Sequence, residues 1–317
     1  MNIIYMGSGE FGVPCLDALK ASSHRLSVVV TQPPNPCGRG RKVRPTAVAC
    51  WASGHNIACL ETANVNAPAV VEMLTACRPD CLVVIACGQK IGRRLVELPP
   101  KGAINVHASL LPKYRGAAPI NWALVHGETR TGVSIITLAD KIDAGDVLSQ
   151  AETMIGVHET AGELHDRLAQ LSAPLLLDTL AQLEAGAATY APQDHDQATF
   201  APKLKKSDGF LDFHEPAELL ARKIRGFWPW PGASAMHVSA QTGKSTHVTF
   251  ALADVTAASS STSLPPGTFD DHLNVVCGVD ALTILKIKPA GSALMDFKDF
   301  VNGRHVRPGD RFVSVDQ

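Results

Sequence analysis

No C-x-x-C pair occurs in this sequence, and its eight cysteines are scattered, seven of them within the first ninety residues. Zinc sites and disulfide frameworks depend on regularly spaced cysteines, so this distribution argues against both. The cysteines fall largely inside apolar stretches, which predicts reduced, mostly buried thiols and a cytoplasmic protein. Long apolar runs are also missing. The longest, such as 82–87 (LVVIAC), are far short of the roughly 20 residues that a membrane helix requires. A strand expected at 2–6 leaves no room before it for a signal or transit segment. No internal repeat is present.

Net charge excludes little, because 29 Lys and Arg stand against 30 Asp and Glu. Its distribution says more. No acidic residue lies between Asp17 and Glu61, a window that holds Lys20, Arg25, Arg39, Arg41, Lys42 and Arg44. The last four follow a Pro/Gly-rich turn in TQPPNPCGRGRKVRP, and such a basic loop on a neutral protein is a local anion-binding element.

A chain of 317 residues has the length of about two domains. Its first half alternates short β-branched runs (2–6, 26–31, 57–60, 81–86, 103–107, 132–138) with helical patterns at 13–22, 47–53 and 67–77. This alternation predicts a Rossmann-like α/β fold with a doubly wound, mostly parallel sheet. A long amphipathic helix over 160–185 is expected next, with Leu164, Leu168, Leu171, Leu175 and Leu176 as its apolar stripe. After a polar connection come one helix (216–225) and alternating segments at 234–238, 247–255, 274–277, 282–289 and 312–315, the pattern of a small β-barrel. The expected division is 1–189, a linker over 190–206, and 207–317. Trp228 and Trp230 are expected to pack rather than to stack on bases.

Residues 7–12 read GSGEFG, a G-x-G-x-x-G after a strand and before a helix. A dinucleotide site also needs an acidic residue at the end of the next strand to hold the ribose. That strand instead ends Val30-Thr31-Gln32-Pro33, which leaves the glycines a tight turn and close helix–strand packing.

The chemistry is expected in AINVHASLLPKYRGAAPINW (103–122) and in IDAGD (142–146). Asn105 and His107 stand two apart at the end of a strand, so both face one side of the sheet where ligands of open α/β folds bind. Asp143 follows the next strand in a Gly-containing turn. An amide, an imidazole and a carboxylate suit attack by an amine on an activated formyl group. The amide donates where the oxyanion develops, the imidazole moves protons near neutrality, and the carboxylate orients it and favours its protonated form.

The run NVHASLLPKYRGAAPINW with DAGD closely resembles the signature of the folate-dependent formyltransferases. In that superfamily the Asn and His of N-x-H and the Asp of the D-x-G turn are catalytic, and here these match Asn105, His107 and Asp143. The resemblance further implies 10-formyltetrahydrofolate as donor. It places the folate pocket around Cys87, Gly88 and Gln89 and around Ser109, Leu110, Leu111 and Pro112. Cys87 stands where an aromatic residue is common in the family.

Within the superfamily, three features look like the branch that acts on methionyl-tRNA. The basic loop resembles that branch's tRNA-contacting insertion, with Arg39, Arg41, Lys42 and Arg44 as tRNA-binding residues. The C-terminal region, with RGFWPWPGA and LKIKPAGSALMDFKDFVNGR, resembles its OB-like domain. Lys286, Lys288, Lys298, Arg304, Arg307 and Arg311 supply basic groups along it. The implied acceptor is the α-amine of methionyl initiator tRNA, on a monomer with no metal and no membrane partner. An amino sugar on a nucleotide is the alternative acceptor; a non-catalytic RNA-binding protein and a dehydrogenase are the readings from other classes.

Overall fold

A computed structural model describes residues 1–37, 42–258 and 264–315. The chain forms two compact units, 1–116 with 130–153 and 165–200, and 117–129 with 154–164 and 201–317.

The first unit is built on seven strands: β1 (Asn2–Gly7), β2 (Arg25–Thr31), β3 (Cys59–Glu61), β4 (Cys81–Ile85), β5 (Ala103–His107), β6 (Arg130–Thr137) and β7 (Val147–Met154). Their order is β7-β6-β5-β4-β1-β2-β3. Every pairing from β3 through β5 is parallel, while β6 runs antiparallel to β5. The central β4, CLVVI, is buried at all five positions. A continuous apolar run of this kind belongs to a parallel strand covered on both faces. One face packs Ile4, Met6, Val28, Val30, Leu82 and Val84 under Val71, Leu74 and Leu95.

The helices form where sequence supplies their ends. In α1 (Val13–Ala21) and α3 (Pro68–Ala76) a proline sits in the first turn, where its missing N–H costs nothing. In α2 (Ala47–Gly54) the Thr46 hydroxyl caps the N-terminus by accepting from the Ala49 amide at 3.0 Å. A short α4 (Arg93–Val96) and the helices α5 (Pro119–Val125) and α6 (Ala161–Ala185) follow. The stripe of α6 differs from expectation. Its fully buried leucines are Leu164, Leu168, Leu176 and Leu180, whereas Leu171 and Leu175 are only half-buried. The buried position between Leu168 and Leu176 belongs to Ser172, which touches the Cys15 thiol at 3.1 Å and donates back to the Ala169 carbonyl.

Close packing accounts for the glycines of GSGEFG. A Cβ on Gly7 would fall 2.2 Å from the Ile85 carbonyl oxygen, and one on Gly12 would fall 1.7 Å from the Tyr5 hydroxyl. Tyr5 is fully buried, so the glycines make room for its ring.

The second unit contains α7 (Ala217–Gly226), then β8 (Ala233–Val238), β9 (Ser245–Thr256), β10 (Val275–Val276), β11 (Ala281–Pro289), β12 (Met295–Asp296), α8 (Phe297–Arg304) and β13 (Arg311–Val313). The sheet order is β10-β11-β9-β8-β13, with β12 added to β11. One short segment closes it. The Gly267 amide donates to Val276 and the Gly267 carbonyl accepts from Phe312, while Phe269 donates to Asp310. The result is the OB-like barrel. Its core is a cluster of Phe213, Phe250, Phe269, Phe300 and Phe312, in which the Phe250–Phe312 and Phe269–Phe312 centroids lie 4.9 Å apart. In the same unit α5 lies against α7, where Gly226 comes so close that a Cβ would be 2.8 Å from Val125. Trp228 is half-buried, but Trp230 is 56% exposed, so the expectation that both tryptophans pack fails for Trp230. More than half of that ring's residue surface stays open to water.

The cysteines also depart in part from expectation. Cys15, Cys81 and Cys277 are buried, Cys77 and Cys87 are half-buried, and Cys50 and Cys59 are exposed. Cys50 lies on the outer side of α2 and Cys59 at the start of the short β3. No helix among the described residues is long and apolar enough to cross a membrane.

Candidate active site

Strand β5 ends in Asn105 and His107. Val84 of β4 and Ile136 of β6 lie opposite Asn105, and Ser134 lies opposite His107. Asn105 thus has a strand on each side and His107 a strand on the β6 side, and His107 is only 6% exposed.

Asp143 reaches the same point from the turn between β6 and β7. Its backbone adopts φ 52°, the left-handed region, which costs a non-glycine residue roughly 1–2 kcal/mol. The neighbouring backbone imposes this shape. Thr137 exchanges two hydrogen bonds with Asp146, both 2.9 Å, and Gly145 lies so close to Thr137 that a Cβ would be 1.8 Å from its carbonyl oxygen. The turn aims the Asp143 carboxylate back at β5. Its Oδ1 accepts from the Asn105 amide at 3.3 Å, and its Oδ2 accepts from the Gly116 backbone amide at 2.9 Å. The same Oδ2 stands 3.6 Å from His107 Nδ1.

The imidazole is oriented from its other side. His107 Nε2 lies 2.8 Å from the Tyr114 carbonyl. A carbonyl only accepts, so Nε2 holds the hydrogen in the neutral ring and Nδ1 is the nitrogen turned toward the carboxylate. The structure thus brings together all three residues expected from the sequence, with Nδ1 the nitrogen of His107 that faces the carboxylate.

Two further segments border this point. After β5 the chain turns through Ser109, Leu110, Leu111 and Pro112, with a cis Leu111–Pro112 bond. Ser109 is fully buried and donates to the Lys113 carbonyl at 2.6 Å, while the Ser134 hydroxyl donates to Ser109 and accepts from the Leu111 amide. Leu110 and Pro112 stay half-exposed at the loop surface. After β4, Ala86 and Gly88 take positive φ of 47° and 68° around half-buried Cys87. Burial pushes the Cys87 thiol above its ordinary range. Gln89 turns away, accepting from the Val65 amide and donating to the Thr62 carbonyl, both at 3.0 Å. Its side chain therefore shapes the loop.

The described ends of the basic segment are paired strands. Asn35–Cys37 and Lys42–Arg44 pair antiparallel, with Lys42, Val43 and Arg44 exposed. Arg39 and Arg41 lie outside the described residues. Among the described residues there is no group of three or more His, Cys, Asp or Glu placed to hold a metal.

Sequence reasoning does not anticipate two residues beside the triad. Arg115 and Gln193 are both buried, and the guanidinium donates twice to Gln193 Oε1, at 3.1 and 2.7 Å. Arg115 lies inside the motif already singled out, but Gln193 stands 50 residues beyond Asp143 in a polar stretch with no local signal.

Comparison with known proteins fits this geometry. A family model described as "Formyl transferase" matches residues 1–180, and one described as "Formyl transferase, C-terminal domain" matches residues 203–305. The chain is 39% identical over 316 residues to a methionyl-tRNA formyltransferase of Alkaliphilus oremlandii, covering 98% of this chain and 99% of that one. It is also 39% identical over 314 residues to the methionyl-tRNA formyltransferase of Methylococcus capsulatus, with 98% of each chain covered. Solved structures share the fold at low identity. HypX of Aquifex aeolicus, in complex with tetrahydrofolic acid, superposes with a TM-score of 0.62 at 16% identity, over 94% of this chain and 46% of that one. The sugar 3N-formyl transferase WlaRD reaches 0.64 at 13% identity, over 92% and 99%.

Proposed function

The chain belongs to the formyl transferase family, and we infer that it transfers a formyl group to the α-amino group of methionyl-tRNA. Near-full-length similarity to enzymes of that name supports the acceptor, whereas the sugar formyltransferase resembles this chain in fold alone. The donor is 10-formyltetrahydrofolate, the acceptor is the initiator tRNA, and the setting is the cytoplasm. The enzyme acts as a monomer without a metal. Residues 1–189 form the catalytic domain and 207–317 the tRNA-binding domain, joined over 190–206, a connection whose Gln193 also packs beside Asp143.

One observation carries the reading: an amide, an imidazole and a carboxylate converge at the lip of the sheet, with no separation from the carboxylate above 3.6 Å. As the methionyl amine adds to the formyl carbon, negative charge grows on the formyl oxygen, and the Asn105 amide donates to it there. The amine must shed a proton, and His107 Nδ1 has the lone pair to receive it. The resulting imidazolium keeps its Nε2–H on the Tyr114 carbonyl and turns its new Nδ1–H toward Asp143 Oδ2. Proton return to the leaving nitrogen uses the same atom in reverse. The segment Ser109–Leu110–Leu111–Pro112 and the turn at Cys87, Gly88 and Gln89 hold the folate. Arg39, Arg41, Lys42 and Arg44 meet the phosphates of the tRNA.

Incubation with labelled 10-formyltetrahydrofolate and charged initiator tRNA tests the reading. Label is expected on the aminoacyl group. Label on a nucleotide-linked amino sugar, with none on methionyl-tRNA, would replace it with the alternative acceptor.

A further inference from the structure

Gln193 uses its whole side-chain amide to hold the turn that presents Asp143. Its Oε1 accepts from Arg115 Nε and Nη2 at 3.1 and 2.7 Å, and its Nε2 donates to the Asp143 carbonyl at 2.9 Å and the Gly145 carbonyl at 2.7 Å. Both ends of the amide are chemically determined. A guanidinium only donates, so oxygen must face Arg115, and backbone carbonyls only accept, so nitrogen must face the turn. The Gln193 residue is 8% exposed and Arg115 is 6% exposed, so water does not compete for these bonds. Arg115 is fixed in turn by His195 Nδ1, 2.9 Å from Nη2. Its backbone amide also donates to the Thr199 carbonyl at 2.8 Å.

The two carbonyls bound by Gln193 bracket the segment that begins with the unfavourable φ of Asp143. Across the turn, Thr137 binds Asp146 through both its backbone amide and its hydroxyl. The turn is thus gripped from a strand on one side and from residue 193 on the other. The carboxylate it carries must meet Asn105, Gly116 and His107 together. Gly116 directly follows Arg115, so the same short segment anchors Gln193 and donates to Asp143.

We propose that Gln193 is a positioning residue for formyl transfer, clamping the Asp143 turn, with Arg115 fixing the orientation of the clamp. This rests on the reaction assigned above. Gln193 touches no reacting atom; it acts through the backbone of Asp143 and Gly145.

Two variants test the clamp. Gln193→Leu keeps the bulk and removes all four hydrogen bonds. Gln193→Glu keeps an acceptor for Arg115, and so the fold, but sets a carboxylate oxygen against two carbonyl oxygens. Displacement of a reacting group by about 1 Å costs on the order of 100-fold. In both variants kcat is expected to fall at least about 10-fold, with KM for the folate and for the acceptor within about threefold of the parent. A second readout needs no substrate. The Gly116 amide proton, hydrogen-bonded to the Asp143 carboxylate, is expected to move upfield in the NMR spectrum of each ligand-free variant. The clamp is refuted if either folded variant retains kcat within about twofold, or if the Gly116 resonance stays in place while activity falls. Should the parent protein prove inactive on methionyl-tRNA, the assigned acceptor fails, but the Gly116 resonance still decides whether Gln193 places Asp143.

Discussion

At the scale of single residues, the site depends on which atom of each side chain is left to act. His107 commits Nε2 to the Tyr114 carbonyl, which leaves Nδ1, beside Asp143, for the proposed proton transfer. His107→Ala is expected to lower kcat by at least about 100-fold, because proton transfer loses its carrier. Asn105→Ala, measured in the same assay, should cost about 10²–10³ in kcat as an oxyanion donor is lost. Near-parental turnover in either variant would remove that residue from the reaction. The thiols offer an independent check on packing. Burial pushes Cys15 up to about 11 and Cys81 and Cys277 up to about 12, while Cys50 and Cys59 face solvent. Burial and Glu61 also raise the Cys59 thiol, and thiolate is the reactive form, so among the described cysteines alkylation near neutral pH followed by mass mapping should mark Cys50 first. Early labelling of Cys81 would contradict the packing of β4.

At the scale of elements, much of the architecture is legible in the sequence. The strands carrying β-branched runs fall within two residues of where their pattern ends, and β5 matches at both ends. Elements without a clear period are not legible. Strand β7 has only Leu148 buried among eight residues, so its sequence VLSQAETM shows little alternation of apolar and polar types. The paired strands Asn35–Cys37 and Lys42–Arg44 contain Pro and Lys where a strand pattern would place β-branched residues. Helices α5 and α8 are hidden within motifs that stand out for their chemistry. Asn105, His107 and Asp143 can be found because the strand end and the D-x-G turn are local. Gln193 cannot, since only the folded chain brings it to Asp143.

Gly12→Ala drives a methyl group into the buried Tyr5 hydroxyl and should destabilise the protein by about 1–3 kcal/mol. Gly54→Ala, with nothing within 4 Å of the new carbon, should leave the thermal midpoint nearly unchanged. Equal midpoints for the two would show that the Gly7–Gly12 turn is not tightly packed. In the basic segment, Arg44→Ala should weaken tRNA binding and reduce the slope of log affinity against log salt by about 0.9 for each phosphate the arginine no longer neutralises. An unchanged slope would take Arg44 out of the tRNA interface.

At the scale of the whole molecule, the barrel buries a histidine from which acid sensitivity is expected. His237 is 3% exposed and ringed by Phe269, Phe300 and Phe312, with Asp310 Oδ2 3.3 Å from Nε2. Burial lowers its proton affinity below the ordinary histidine value, more than Asp310 raises it. The unfolded chain therefore binds the proton more readily, and the stability contributed by neutral His237 declines as pH falls through about 6.5. A thermal midpoint that drops with acidification, less steeply in His237→Phe, is the expected result. Identical slopes for the two proteins would show that His237 has no part in acid sensitivity.

The Gly267–Phe269 rung joins β10 to β13 and leaves the barrel nearly closed. An open rim would offer rows of unpaired amides and carbonyls to any passing strand. A rung of three residues thereby occupies the edges of β10 and β13 that another strand would otherwise meet. The protection also has a single weak stitch: a chain shortened before Arg311 would expose both β8 and the rung itself, and such molecules would be prone to stick to one another.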